Sequence, residues 1–284
     1  MQSRLFFLAK RFVAGETIEA ALVAVREINA AGMTATLDFL GEDVVERGEA
    51  ERTRDAYLRL LEAIGRGGER TNVSVKLTAL GLLIDEELCA RLLTDIVERA
   101  SSLDDPFVRI DMEGSAVTEK TLRVFERVFA AHRNVGPVIQ AYLRRSTDDV
   151  ERAIRLEARV RLCKGAYREH KHVAYQEMSD IRTHYLRLAE ALLSRGTYPG
   201  IATHDERLIA AVRHFAEING IGKGRFEFQM LYGVRPDAQR ALVGEGYNVR
   251  VYVPFGTHWA GYFYRRIAER RENAFFVLRS LFVR

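Results

Sequence analysis

The sequence predicts an α/β protein built as a closed (βα)8 barrel. Short β-branched or apolar runs alternate with longer amphipathic stretches along the whole chain. Eight such strand–helix units can be counted, and this repetition calls for parallel strands joined by right-handed crossovers. All eight fit within about 250 residues, the usual size of such a barrel. The open, doubly wound sheet is the other arrangement that the alternation allows. No linker or low-complexity stretch divides the 284 residues. A single barrel domain over 1–284 is therefore expected, with a short helical lead over about residues 1–30.

The strand runs, in order, are MTATLDFL (33–40), NVSVKL (72–77), FVRIDM (107–112), PVIQAYL (137–143), RVRLCK (159–164), GIATH (200–204), RFEFQML (225–231) and NVRVYV (248–253). Each is followed by a helical pattern, as in EAERTRDAYLRLLEAIG, DEELCARLLTDIVERA and TEKTLRVFERVFAAH. Residues 170–195 exceed what one connecting helix needs, so the fifth connection carries an insertion. Beyond the last strand, 259–270 and 273–282 both read as helices, one more than a barrel requires. AFFVLRSLF is apolar enough to pack on the barrel's outside, which frees the helix before it to lie elsewhere. That freed helix carries Tyr262, Arg265, Arg266 and Glu269 at i, i+3, i+4 and i+7, a single stripe.

Composition excludes several classes. The net charge of +4 comes from 43 basic and 39 acidic residues spread along the chain, with no basic block, so a nucleic-acid partner is not expected. Cys89 and Cys163 lack metal or redox spacing, which fits a reducing, cytoplasmic compartment. The start, MQSRLFFLAKRFVAG, has too short an apolar run for a signal peptide, and no run reaches the roughly 18 residues of a membrane span. Peripheral contact with the inner membrane stays open. GRGG (65–68) and GIGKG (220–224) read as turns at the barrel base, because a dinucleotide fingerprint follows a strand and opens a helix. His170 and His172 in EHKH lie in the insertion, and no metal is expected there.

In barrels of this type chemistry collects where strands end. The polar residues there are Lys76, Asp111, Gln140, Arg161, Lys164 with Gly165, Ala166 and Tyr167, then Thr203, His204, Glu227, Gln229 and Tyr252. Only six lysines occur in the chain, and two of them fall in this set. A charge inside a strand is costly unless it is paired or touches a ligand. Two arginines and a lysine can hold a carboxylate, since guanidinium forks match it bidentately, and tyrosines supply flat walls with a hydroxyl tip. Gln140, Arg161, Lys164, Thr203 and His204 suit a heteroaromatic or polyphosphate-bearing cofactor. Lys76 or Lys164 as a Schiff-base former keeps a lyase of the aldolase type open, and a barrel that binds a small molecule without turnover is a third reading.

RLCKGAYRE (161–169), ATHD (202–205), FEFQMLYGV (226–234), VRVYVPFGTHW (249–259) and YRRIAERREN (264–273) together resemble proline dehydrogenase. That flavoenzyme stands alone in many bacteria and forms one domain of bifunctional proline utilization A. The resemblance spans nearly the whole chain and keeps its motif order, although the stretch from Tyr252 to Arg265 is shorter than in the bifunctional enzymes. It implies a distorted (βα)8 barrel whose last helix lies over the carboxyl ends of the strands. It implies FAD as cofactor, L-proline as substrate, Δ1-pyrroline-5-carboxylate as product and a membrane quinone as electron acceptor, with a separate pyrroline-5-carboxylate dehydrogenase downstream. It implies that Lys76, Arg265 and Arg266 grip the proline carboxylate and that Tyr252 and Tyr262 wall the ring. It sets the catalytic residues Asp111 near the substrate amine and Arg161 beside the flavin. Met112, Gln140, Lys164, Gly165, Ala166, Tyr167, Thr203 and His204 are then cofactor contacts, and Glu227, Leu231 and Glu269 complete the pocket. The family also implies further helices ahead of Arg11-Phe12-Val13, where this chain has about ten residues.

Overall fold

The computed structural model describes residues 11–268, with side chains up to residue 263. Helix α1 (Ile18–Ala30) opens it, capped by Thr17, whose hydroxyl accepts the Ala20 N–H. The strands follow: β1 (Thr34–Phe39), β2 (Thr71–Lys76), β3 (Val108–Asp111), β4 (Val135–Gln140), β5 (Arg161–Cys163), β6 (Gly200–Ala202), β7 (Glu227–Leu231) and β8 (Asn248–Phe255). Helices α2 (Arg47–Gly67), α3 (Glu86–Ala100), α4 (Ser115–Phe129), α5 (Ser146–Arg155), α6 (Met178–Arg195), α7 (Glu206–Ile218) and α8 (Pro236–Gly244) connect them, and α9 (Trp259–Ala268) is the last of the described helices. Every pairing is parallel in chain order, and β1 pairs with β8 through six register positions from Thr34↔Arg250 to Phe39↔Phe255. That pairing closes the barrel and rules out the open doubly wound sheet.

Strand alternation decides what faces where. In β2, Val73 and Val75 point outward, under Leu60, Leu61 and Ile64 of α2 and Ile96 and Val97 of α3, in one continuous apolar core. Asn72, Ser74 and Lys76 point inward and bond across the barrel to Thr36, Asp111 and Asp38. The interior is therefore a polar network, unlike the branched aliphatic layers common in such barrels. A second apolar cluster sits apart at the strand ends: Phe12, Val13, Leu40, Val234, Trp259, Tyr262 and Phe263. It joins the start of the described chain to α9.

Two expectations shift. The fourth strand runs 135–140 and not 137–143, and Leu143 instead forms a bridge to Ala174 in the fifth connection. That connection does carry the expected insertion, a loop from Lys164 to Glu177 before α6. The second terminal helix, read at 273–282, lies outside the described residues.

Candidate active site

Two carboxylates organise the mouth. Asp38, at the end of β1, is fully buried, and its two oxygens accept hydrogen bonds from Lys76 Nζ at 2.9 and 2.8 Å. Burial works against the Lys76 charge, but Asp38 and Asp111 outweigh it and hold the amine above the ordinary lysine range. Asp111 stands beside Lys76 in register at the end of β3. Its Oδ1 accepts from Ser74 Oγ (2.7 Å) and Arg161 Nη1 (2.8 Å), and its Oδ2 accepts from the Tyr252 hydroxyl (2.6 Å). The Arg161 guanidinium also lies over the Tyr252 ring, 5.2 Å from its centroid. Burial, then Asp111 and Asp38, push the Tyr252 phenol well above its usual range, so it stays a donor.

Above these groups opens a cavity of about 340 Å3, within the range of small-molecule sites. Lys76, Asp111, Met112, Gln140, Arg161, Lys164, Gly165, Ala166, Tyr167, Thr203, His204, Leu231, Tyr252 and Tyr262 all line it. The strands from β2 to β8, the residues that follow their ends and α9 thus bring fourteen of the expected residues together. Tyr262 reaches the cavity from α9, which sets the last described helix at the mouth, as expected of the last barrel helix. The loop after β5 turns through Gly165 at φ +118°, a conformation that favours glycine.

On the far wall, His204 Nε2 accepts the Leu231 N–H at 2.8 Å. The accepting nitrogen carries no proton, so the ring is the neutral Nδ1–H tautomer. Next to it Asp205 caps α7 and takes hydrogen bonds from Arg182 (2.8 Å) and Lys164 (3.3 Å). These cations outweigh the effect of burial and hold its carboxyl below the usual range.

Glu227 is a correction. It opens β7, level with Gly200 and Asn248, the first residues of the neighbouring strands. It therefore sits at the amino end of the barrel, paired with Arg250 at 2.8 Å, and does not line the cavity. Arg265 and Arg266 fall on α9, but their side chains lie outside the described residues, and Glu269 lies outside them altogether. The rings of His170 and His172 meet tilted at 32°, their centroids 5.3 Å apart, in the loop after β5, and neither is among the residues that line the cavity.

Sequence reasoning missed Asp38, the partner that keeps Lys76 charged. Its signal was present: a carboxylate on the inward phase of MTATLDFL, two residues after Thr36. It also missed Glu113, whose carboxylate accepts from both the N–H and the hydroxyl of Thr78 and whose carbonyl accepts from Gln140 Nε2 at 2.8 Å.

Comparison with known proteins gives the arrangement a family. The proline dehydrogenase family model matches residues 21–279. Proline dehydrogenase 1 of Bacillus subtilis is 41% identical over 273 residues, covering 96% of this chain and 90% of that one. Proline dehydrogenase of Deinococcus radiodurans is 41% identical over 286 residues, covering 99% and 92%. Among solved structures, proline utilization A from Bdellovibrio bacteriovorus, inactivated by N-propargylglycine, superposes with a TM-score of 0.88 at 28% identity, over 94% of this chain and 33% of that one. The family model spans most of the chain and these relatives are matched over nearly their whole length, so the chain belongs to the proline dehydrogenase family.

Proposed function

We propose that the protein oxidises L-proline to Δ1-pyrroline-5-carboxylate with FAD as cofactor and passes the electrons to a membrane quinone, the first step in degrading proline to glutamate. The observation that carries this reading is the mouth itself: Lys76 held by Asp38, and Arg161 and Tyr252 held by Asp111, around a single cavity. The chemistry of the lining fits a flavin. Met112, Val138, Cys163, Ala202 and Leu231 offer apolar walls to a flat ring, while Arg161, Gln140 and Lys164 offer donors to its electron-rich edge and phosphates. When bound, the flavin supplies the hydride acceptor that no side chain provides.

The chain's own residues bind, orient and set charge. Lys76 is proposed to hold the substrate carboxylate together with Arg265 and Arg266, between the walls of Tyr252 and Tyr262. The ring nitrogen must be neutral for its lone pair to assist hydride loss from the adjacent carbon. Cations gathered on the carboxylate disfavour the protonated amine by like-charge repulsion. Asp111, fixed by three donors, is proposed to face the amine. Met112, Gln140, Arg161, Lys164, Gly165, Ala166, Tyr167, Thr203, His204, Leu231 and Glu269 are proposed cofactor contacts. A separate pyrroline-5-carboxylate dehydrogenase would take the product on. None of the described helices is long and apolar enough to cross a membrane, so delivery to a quinone would use peripheral contact from the cytoplasmic side.

The test is anaerobic addition of L-proline to the purified protein while the flavin absorbance is followed. A yellow protein that bleaches is the expected result; a colourless one, or one whose colour proline leaves unchanged, overturns the reading. The Schiff-base alternative at Lys76 is disfavoured by the carboxylates around it. A lysine nucleophile needs a lowered pKa, and Asp38 and Asp111 act on Lys76 in the opposite sense.

A further inference from the structure

Beneath Arg161 a line of buried polar side chains descends to the barrel base. Arg161 Nε donates to Gln229 Oε1. Gln229 Nε2 donates to Glu227 Oε1 at 2.5 Å, and the same oxygen accepts from Arg250 Nε at 2.8 Å. Arg250 is in turn anchored by Ala35 O (2.7 Å) and Asp105 Oδ2 (2.8 Å). Arg161, Gln229, Glu227 and Arg250 are each at most 6% exposed.

The order of donors and acceptors has one consequence. A carboxylate accepts and cannot donate, whereas an amide side chain can present either end. Arg250 keeps Glu227 ionised against the effect of burial. The Gln229 amide must therefore turn its nitrogen down to Glu227 and its oxygen up to Arg161. If the amide were reversed, two N–H donors would meet at Arg161 and two acceptors at Glu227. Gly200 makes the crossing possible. It lies between Arg161 and Glu227 in register, and a Cβ there would stand 2.4 Å from Gln229 Nε2. With Nε satisfied from below, Arg161 is free to give Nη1 to Asp111 at the cavity.

We propose that Glu227, acting through Gln229, is a positioning residue for Arg161: it fixes which end of the amide meets the arginine, and so where the guanidinium is held at the cavity. The proposal deepens the reading of Arg161 as the group beside the flavin and rests on it for its catalytic consequence. Glu227→Gln replaces the charged acceptor with one neutral carbonyl that must serve both Gln229 and Arg250, which weakens the contact that holds the amide. It is expected to lower kcat about tenfold, the worth of one charge-assisted hydrogen bond, with a smaller change in KM, and to lower the reduction potential of the bound flavin. The exchange Glu227→Gln/Gln229→Glu restores an acceptor facing Arg161 and a donor facing that acceptor. It is expected to recover most of both losses.

A second readout needs no flavin. In cofactor-stripped, 15N-arginine-labelled protein, the Arg161 Nε–H resonance, assigned by its loss in Arg161→Lys, is expected to shift or broaden in Glu227→Gln and return in the exchange variant. If Glu227→Gln only lowers stability and leaves kcat, potential and that resonance unmoved, the brace is structural and the proposal fails. It fails equally if the exchange variant is as impaired as the single change. If the resonance responds as expected in a protein that binds no flavin, the positioning stands and the flavoenzyme reading fails instead.

Discussion

Both oxygens of Asp38 accept from Lys76, and neither side chain exposes more than 8% of its surface. Two desolvated charges offset each other only while both are present, so Asp38→Asn is expected to cost about 3–5 kcal/mol in urea unfolding at neutral pH. Asp38→Asn/Lys76→Met is expected to cost less than the two single changes added together. A cost for Asp38→Asn below about 1 kcal/mol, the worth of an exposed pair, would mean that the pair is solvated. Glu113 gives a prediction in pH. Burial pushes its carboxyl from the ordinary 4.5 up to about 7, despite the two hydrogen bonds from Thr78. The folded state then binds this proton more tightly than the unfolded chain does. Its contribution is complete below pH 4.5 and is lost as pH rises through 7. Glu113→Gln cannot ionise, so the fall of the urea midpoint between pH 4.5 and about 7 is expected to flatten; parallel profiles for the two proteins would refute the assignment. These residues also mark what could be read in advance. Lys76, Asp111 and His204 stand out because a polar group ends an apolar run, and Arg161 because a charge interrupts one. Glu113 lies past its strand in DMEGS, and nothing in that tetrad-and-aspartate stretch tells that Thr78 will cover it. Glu227 and Gln229 share the inward phase of β7, and the run RFEFQML does not tell that the strand begins at Glu227, below the cavity that Gln229 lines.

At the scale of elements, the loop after β5 carries the tightest constraint at the cavity. Gly165 has φ +118°, and a Cβ on it would stand 2.2 Å from the Tyr142 ring. Tyr142 is itself tied to this loop, its N–H donating to Lys164 O and its carbonyl accepting from Tyr175 N–H, both at 2.8 Å. The Tyr142 backbone is held on both sides, so Gly165→Ala must displace the ring or the loop. Overpacking of this kind is expected to cost about 1–3 kcal/mol, and because the loop lines the cavity, the variant should also release flavin, read as a rise in free-flavin fluorescence on dilution. Retention equal to that of the parent protein would show that the loop bears no weight in cofactor binding. The same loop explains the misplaced fourth strand. Tyr142 and Leu143 look like strand residues because they are apolar and buried, but what buries them is the fifth connection, through Ala174 of its loop and Ile181 of α6. The true start, Val135-Gly136-Pro137, carries two residues that weaken a strand. Gly136 is needed there because a Cβ would stand 2.2 Å from Arg159 O and 2.8 Å from the Phe107 ring, a requirement set by the filled barrel base and not by local sequence.

For the whole molecule, periodicity made the eight units legible but not the closure. Alternation in NVSVKL already separates valines facing helices from polar residues facing inward, yet only the β1–β8 pairing turns those inward residues into one network. The mouth is less legible still, because it is assembled from distant parts of the chain. Phe12 and Val13 from the start, Leu40 after β1, Val234 after β7 and Trp259, Tyr262 and Phe263 of α9 form a cluster separate from the barrel core. Within it Phe263 is 1% exposed, with its ring centroid 6.3 Å from Trp259 and 6.5 Å from Phe12. A satellite cluster of this kind can open without unfolding the barrel. Phe263→Ala removes its central ring, at a local cost of about 3–5 kcal/mol. Hydrogen exchange is expected to show α9 losing roughly a hundredfold or more of its protection, while the amides of β1 to β8 keep theirs. Since Tyr262 lines the cavity from the same helix, KM for proline should rise in step. Were α9 and the strands to lose protection together, the two clusters would form one cooperative core and the mouth could not be closed or opened by α9 alone.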